Sequence, residues 1–212
     1  MHAYAFLSQG AVAPLSGFVW PRPAAGEHGA WVDADAAPAE TLRGCRAEHL
    51  PYWLDDELWR IELEGTLRER GHMLLAERAR LLGRIETWAD PLAWEFAGVC
   101  ARRVAEQAAT ALRDGGRADT AALLEGAQDL EELHSAASAA AEHPGPGGML
   151  AGYAADVCHY SRDAGVAARA ASVAAKMTAY ALAGDVEEPG YDERVAKERA
   201  WQAAWLFDRV GL

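Results

Sequence analysis

The sequence predicts an α+β protein, with an N-terminal antiparallel β-rich domain packed on a C-terminal bundle of five mostly antiparallel helices. Two observations lead to this class. Apolar and charged residues alternate over Trp59–Glu64, which is the period of a strand with one buried face. After Asp90-Pro91 the apolar residues recur at helical spacing instead, and alanine dominates the chain. We therefore expect two domains, 1–88 and 89–212.

Short extended segments are expected throughout the first domain. In the clearest one, Trp59, Ile61 and Leu63 share a face and the charged residues between them share the other, which favours an antiparallel strand. Four further pieces lie between prolines and glycines: Tyr4–Leu7, Gly17–Trp20, Ala30–Val32 and Thr41–Cys45. The stretch His72–Trp88 fits either a helix or two short strands, and its periodicity leaves both open.

Helix signals organise the second domain. Asp90 suits an N-cap, Pro91 suits the first helical position, and Gly115-Gly116 ends the first helix. A second helix is predicted over 119–142, with its buried stripe formed by Leu123, Ala127, Leu130, His134, Ala137 and Ala141. The segment His143–Gly148 predicts a mobile loop. Three more helices are expected at 149–162, 165–183 and 192–210.

Charge and cysteine content limit the partners and the compartment. A formal charge of −12 disfavours nucleic acid and anionic membranes as partners, because both usually require a basic face. The start of the chain lacks the pattern of a signal peptide, and no apolar run is long enough for a membrane span. The three cysteines are far apart and form no CxxC pair, so a reducing cytoplasm is the expected location.

The segment Cys45–Trp59 holds the densest set of functional side chains. Aromatic rings with a few polar groups at strand ends are typical of a ligand cleft. The sequence therefore predicts a binding or interaction module for a small molecule or a protein, with these candidate contacts: Trp31, His49, Tyr52, Trp53, Asp55, Asp56 and Glu57. The alternative is a buried turn, with Trp53 in the core and the three acids forming a solvated bend.

The same segment carries a resemblance to a known group of proteins. Trp20-Pro21, Ala30-Trp31-Val32 and the run CRAEHLPYWLDDELWRIEL from Cys45 to Leu63 resemble a family of unknown function that is common in high-GC actinobacteria. The resemblance implies a strand-rich N-terminal part followed by an Ala-rich helical part. It implies no activity.

Enzyme classes remain as alternatives. Glu131 and His134 have the i, i+3 spacing of carboxylate-bridged metal sites in helical bundles, and Asp156 and His159 repeat it. Two acids from other helices, Glu95 and Glu106, would complete such a site. A transferase using the region of His49 is a second possibility. No nucleotide loop of the GxxxxGK[ST] or GxGxxG type is present, which disfavours nucleotide-dependent enzymes of those two classes, and no GxSxG elbow supports nucleophilic catalysis. No cofactor is predicted.

Two further clusters allow a functional and a structural interpretation. Arg78, Arg80 and Arg84 could contact an anion, or they could form salt bridges with the many neighbouring acids. Trp201 and Trp205 lie one turn apart in the last predicted helix and could form a homo-oligomer contact.

Overall fold

A computed structural model describes all residues from Met1 to Leu212, and it confirms an α+β chain. The strands are β1 His2–Leu7, β2 Val32–Asp33, β3 Arg43–Gly44, β4 Glu57–Glu64, β5 Arg68–Arg70, β6 Met73–Leu75 and β7 Arg78–Arg84, with a 3₁₀ helix at Ala47–Tyr52. The helices are α1 Asp90–Asp114, α2 Ala118–Gly126, α3 Leu130–Ala141, α4 Pro146–Asp163, α5 Ala167–Ala183 and α6 Tyr191–Val210. None of these helices is long and apolar enough to cross a lipid bilayer.

The chain forms two compact units. The first contains Met1–Leu92 together with Gln202–Leu212, and the second contains Ala93–Trp201. The single domain boundary between residues 88 and 89 stays a prediction.

All strand pairs in the first unit are antiparallel. One sheet has the order β1-β4-β7-β2 and the other has the order β3-β6-β5. A backbone pair between Tyr4 and Cys45 joins the two sheets, with N···O distances of 3.0 and 2.7 Å. The strand β3 lies close to both β1 and β4, and a Cβ on Gly44 would lie 3.0 Å from the carbonyl oxygen of Tyr4 and 2.6 Å from Ile61 Cδ1. Glycine is therefore the residue that fits at this crossing.

The alternation in β4 is confirmed. Trp59, Ile61 and Leu63 are buried in one hydrophobic core with alternate residues of β1. The ambiguous stretch His72–Trp88 contains two strands, β6 and β7, and no helix. In β7, Ala79 and Leu81 are fully buried while the arginines beside them are half-buried, which is the period of a strand.

Other predicted strands are shorter than expected. Gly17–Trp20 contributes only the bridge between Val12 and Val19, and Trp20 is nevertheless buried in the core. The strands near residues 30 and 41 are reduced to β2 and β3.

The prediction of five helices is wrong, because the second predicted helix is divided into α2 and α3. Asp129 forms the N-cap of α3, and its Oδ1 accepts hydrogen bonds from the backbone N–H groups of Glu131 and Glu132, both at 2.9 Å. The helix phase is reset at this break. Leu123, which was expected on the buried stripe, is 62% exposed, whereas Leu124 and Leu133 are buried. The mostly antiparallel arrangement of the helices stays a prediction.

The predicted loop His143–Gly148 is also shorter than expected. The helix α4 begins at Pro146, where the fixed φ of proline suits the first helical position. Gly147 and Gly148 are buried inside its first turn. A Cβ on Gly147 would lie 2.8 Å from the backbone N of Leu112, so the glycine permits close contact between α4 and α1.

Candidate ligand-binding cleft

A cleft of about 170 Å³ lies along β1 in the first unit. It contains three of the residues predicted from the sequence, Tyr52, Trp53 and Asp55. The remaining lining residues come from β1, the turn after it, β3 and β6: Tyr4–Leu7, Ala13–Leu15, Thr41, Arg43–Cys45, Leu54 and Met73.

The 3₁₀ helix places the aromatic wall of this cleft. Leu50 is completely buried, and its carbonyl accepts a hydrogen bond from the backbone N–H of Trp53 at 3.0 Å. The chain therefore turns immediately before Trp53. On the other side of the helix, the backbone pair of Cys45 with Tyr4 fixes β3 against β1.

Trp53 is half-buried and is held at both ends. Its Nε1 donates a hydrogen bond to the carbonyl oxygen of His72 at 3.1 Å. The guanidinium carbon of Arg43 lies 5.3 Å from the centroid of the Trp53 ring, which is within the range of a cation–π contact. The alternative in which Trp53 is a core residue does not describe this half-buried position.

Arg43 is the main charged donor of the cleft. Its Nη1 is buried and has no hydrogen-bond partner. Burial lowers the pKa of Arg43, and the charge of Glu40 opposes this effect. Arginine nevertheless stays protonated in proteins, so a positive charge lies in a partly dehydrated position at the wall of the cleft.

A stack of rings stands beside Trp53. The rings of Tyr52 and His72 are parallel, with their centroids 3.6 Å apart, and the ring of His49 lies 4.8 Å from that of His72. His49 is therefore near the cleft without lining it. Sequence reasoning missed both His72 and Arg43. Arg43 lies in β3 just before the segment Cys45–Trp59, and His72 lies in a turn 19 positions after Trp53, and no spacing pattern connects them with that ring.

The three consecutive acids bind a loop of the protein itself. Asp55 Oδ2 accepts a hydrogen bond from Ser8 Oγ at 3.0 Å, and Asp56 Oδ2 accepts one from the Gln9 N–H at 2.9 Å. Glu57 accepts the N–H groups of Gly10 at 3.1 Å and Ala11 at 3.0 Å. They do not form the solvated bend of the alternative interpretation, because Glu57 is only 6% exposed. Asp56 and Glu57 do not line the cleft.

The two acids at the ends of this run have opposite pKa shifts. Burial alone would raise the pKa of Glu57. Hydrogen bonds from Gly10, the Trp59 indole and Ala11, together with the charge of Arg84, outweigh burial and hold the pKa below its ordinary value. At Asp55 burial dominates and raises the pKa, although hydrogen bonds from Asp56 and Ser8 oppose it.

Trp31 lies outside the cleft, just before β2 at the opposite edge of the sheet from β1. The guanidinium groups of Arg78 and Arg80 are 4.5 and 4.6 Å from its ring centroid. Arg80 is paired with Glu62 at 2.7 Å, and Arg78 lies 3.4 Å from Asp33. All three arginines of the cluster therefore form salt bridges, and Arg78 and Arg80 cover Trp31.

The cysteines are unsuited to nucleophilic chemistry, which requires the thiolate. All three are buried and free. Burial raises the pKa of Cys45 to about 12 and that of Cys158 to about 11, and it also raises the pKa of Cys100.

The residues of the alternative metal site have other partners. Glu131 Oε2 lies 2.5 Å from Arg162 Nη2, and His134 Nδ1 lies 3.1 Å from the carbonyl oxygen of Ala155. The rings of His134 and His159 are 6.0 Å apart, and His159 contacts Asp163 at 3.4 Å. No group of three or more His, Cys, Asp or Glu side chains is placed to hold a metal ion.

The two tryptophans of α6 lie beneath arginines. Arg103 stands 3.9 Å above the ring of Trp201 and also binds Glu198, with Nε–Oε distances of 3.0 and 2.9 Å. Arg209 lies 5.1 Å from the ring of Trp205. Both rings are half-buried, and a homo-oligomer contact through them stays a prediction.

No protein-family model matches the chain, and comparisons with curated proteins and with solved structures give no match. The side chains of the cleft are therefore the basis on which a function can be proposed.

Proposed function

We propose that this protein binds a small molecule in the cleft beside Tyr52 and Trp53. The observation that supports the proposal is an open space of about 170 Å³ next to an indole that is fixed by His72 and Arg43. Room for on the order of ten waters, beside a pre-oriented aromatic ring, is typical of a binding site.

The lining indicates the kind of molecule that fits. Most of the exposed surface of the cleft is apolar, and its lining includes Pro14, Leu54 and Met73. A ligand with on the order of ten non-hydrogen atoms would replace a similar number of waters. The aromatic wall favours a ring or an aliphatic chain, and displacing water from this surface would provide the main driving force.

The proposal assigns different roles to the residues predicted from the sequence. Tyr52, Trp53 and Asp55 would contact the ligand. Asp56 and Glu57 would act indirectly, by holding the loop that precedes Ala13 and Leu15 at the mouth of the cleft.

The experiment uses six probes: indole-3-acetate, phenylacetate and hexanoate, each with its neutral amide. Binding to the native state raises the melting temperature, so each probe is screened at millimolar concentration by thermal shift and then titrated by calorimetry. We expect at least one pair to contain a binder, and the variant Trp53→Ala to bind it about tenfold more weakly, a loss of about 1.4 kcal/mol.

Trp31→Ala is the matched control. Trp31 is also half-buried beneath guanidinium groups, but it lies outside the cleft, so this variant should bind like the wild type. Binding by none of the six probes would contradict the proposal. Equal binding by folded Trp53→Ala and wild-type protein would contradict it as well.

A further inference from the structure

The charge environment of Arg43 differs from that of its neighbours. Arg78, Arg80 and Arg84 in β7 each lie within 3.4 Å of a carboxylate oxygen. Arg43 makes no such ion pair, and Glu40, whose charge acts on it, is itself paired with Arg70. Of the buried polar side-chain atoms without a hydrogen-bond partner, only Nη1 of Arg43 belongs to a residue that lines the cleft.

An unpartnered charged donor in a dehydrated position is costly. Folding removes the donor from water, and without an acceptor this loss is not compensated. The stacking of the guanidinium on Trp53 orients the group, but an aromatic face does not replace a hydrogen-bond acceptor for Nη1–H. An anionic ligand in the cleft would provide the missing counter-charge, and a small shift of the Arg43 side chain toward it would give Nη1 the missing acceptor.

We propose that the cleft selects a small monocarboxylate with an apolar body, whose carboxylate binds the guanidinium of Arg43 while its body lies against Trp53. This inference rests on the proposed function and identifies the class of ligand. The planar guanidinium matches the geometry of a carboxylate, and such charge-assisted bonds are among the stronger ones in proteins.

Asp55 argues for a single negative charge on the ligand. This carboxylate also lines the cleft, so a doubly charged phosphate would meet repulsion and would find only one buried unpartnered donor. A monocarboxylate can avoid Asp55, whose oxygens are occupied by Ser8 and Asp56. Asp55 and Arg43 also lie near different ends of β1. Asp55 binds Ser8, which follows the end of β1, whereas Arg43 lies two residues before Cys45, which pairs with Tyr4 nearer the start of that strand.

The test compares each acid with its own amide, which keeps the shape and removes the charge. In the wild type we expect the carboxylate to bind about tenfold to a hundredfold more tightly than the amide, as measured by calorimetry at pH 7.5. In Arg43→Gln the ratio of acid affinity to amide affinity should fall to about one, because only the acid loses a charge-assisted bond, whereas loss of the contact between Arg43 and Trp53 affects acid and amide alike and cancels in the ratio. The control Arg46→Gln removes one positive charge from an exposed residue paired with Glu69, and it should keep the preference.

The possible outcomes separate the carboxylate proposal from the proposed binding function. If acid and amide bind the wild type equally tightly, and both depend on Trp53, the carboxylate proposal is wrong and the binding function stands. If inorganic phosphate binds as tightly as the acids, the selection for a monocarboxylate is overturned. If no probe binds, the proposed function fails and this inference fails with it. Should Arg43→Gln not fold, the comparison of acid and amide in the wild type remains decisive.

Discussion

Asp55, Asp56 and Glu57 bind successive parts of the loop Ser8–Ala11, and this contact fixes one side of the cleft. The loop is closed by a backbone pair between Ser8 and Val12, and Ala11 within it has a φ of +58°. A positive φ in a residue other than glycine costs on the order of 1 kcal/mol or more. The hydrogen bond from the Ala11 N–H to Glu57 compensates for this strain.

We expect Glu57→Gln to destabilise the protein by about 3 kcal/mol, since breaking a buried ionic network by removing one charge is strongly unfavourable. Glutamine would replace an acceptor oxygen of the carboxylate with an NH₂ group that faces donors. Urea denaturation measures the change in the free energy of unfolding. The control is Glu69→Gln, whose pair with Arg46 is exposed on both sides and should contribute less than about 1 kcal/mol.

The same variant should change the dependence of stability on pH. The folded-state pKa of Glu57 lies below its unfolded value near 4.5, so its carboxylate stabilises the fold above pH 4.5. This contribution is lost as the pH falls through the folded-state pKa. The difference in stability between wild type and Glu57→Gln should therefore shrink below pH 4.5, whereas a difference that stayed constant from pH 7 to 3 would show that the charge of Glu57 is not responsible. The opposite shift of Asp55 is present in both proteins and cancels in the difference.

For individual residues, the sequence predicts which residue types form the site better than it predicts their bonding partners. Tyr52, Trp53 and Asp55 could be chosen because aromatic and acidic residues are concentrated between two strand signals. The bond between Asp55 and Ser8 spans 47 positions, and nothing in a single sequence indicates such a pairing. Arg43 was missed for the same reason. Its importance depends on its contact with the ring of Trp53 and on the lack of a carboxylate partner, and a single sequence shows neither.

Among the structural elements, α4 shows how glycine determines the approach of a helix. Its first turn contacts Leu112 in α1 so closely that a Cβ on Gly147 would lie 2.8 Å from both the backbone N and Cγ of that residue. The backbone cannot move aside as a flexible side chain can. In α1, by contrast, a Cβ on Gly98 would meet no heavy atom within 4 Å.

Substituting alanine at these two glycines should therefore have opposite effects. Gly147→Ala should destabilise the protein by about 1–3 kcal/mol, because overpacking forces helices apart. Gly98→Ala should stabilise it by about 0.5–1 kcal/mol, the difference in helix propensity between the two residues. Thermal and urea unfolding of both variants measure these changes. A stabilised Gly147→Ala protein would show that α4 does not contact α1 in this way.

The same elements show why strands were easier to predict than helix faces. In β4, alternation distinguishes buried Ile61 from exposed Arg60 clearly, and the prediction was confirmed. In the Ala-rich helices the apolar pattern has little contrast, because alanine occurs on buried and exposed faces alike. The predicted stripe also ran across the break at Asp129, and Leu123, which was expected to be buried, is 62% exposed while Leu124 is buried.

On the scale of the whole molecule, the first compact unit is built from the two ends of the chain. Its C-terminal segment Gln202–Leu212 includes Leu206 and Val210, which are 1% and 4% exposed. The carbonyl oxygen of Val210 accepts a hydrogen bond from Thr87 Oγ1 at 3.0 Å, across 123 positions of sequence. Helical periodicity predicted that residues 192–210 form a helix, but periodicity does not indicate which part of the fold a helix end joins.

Leu206→Ala should therefore destabilise the β-rich unit, although the substitution lies at the far end of the sequence. Truncating a buried leucine costs about 2–5 kcal/mol through lost burial and the cavity that remains. Hydrogen exchange should show reduced protection of the β4 amides, because β4 and Leu206 belong to the same compact unit. Phe207→Ala is the matched control: its ring is 44% exposed, so β4 protection should change by no more than about 0.5 kcal/mol. Protection lost in α3 but retained in β4 would instead show that the C-terminal segment stabilises only the helical unit.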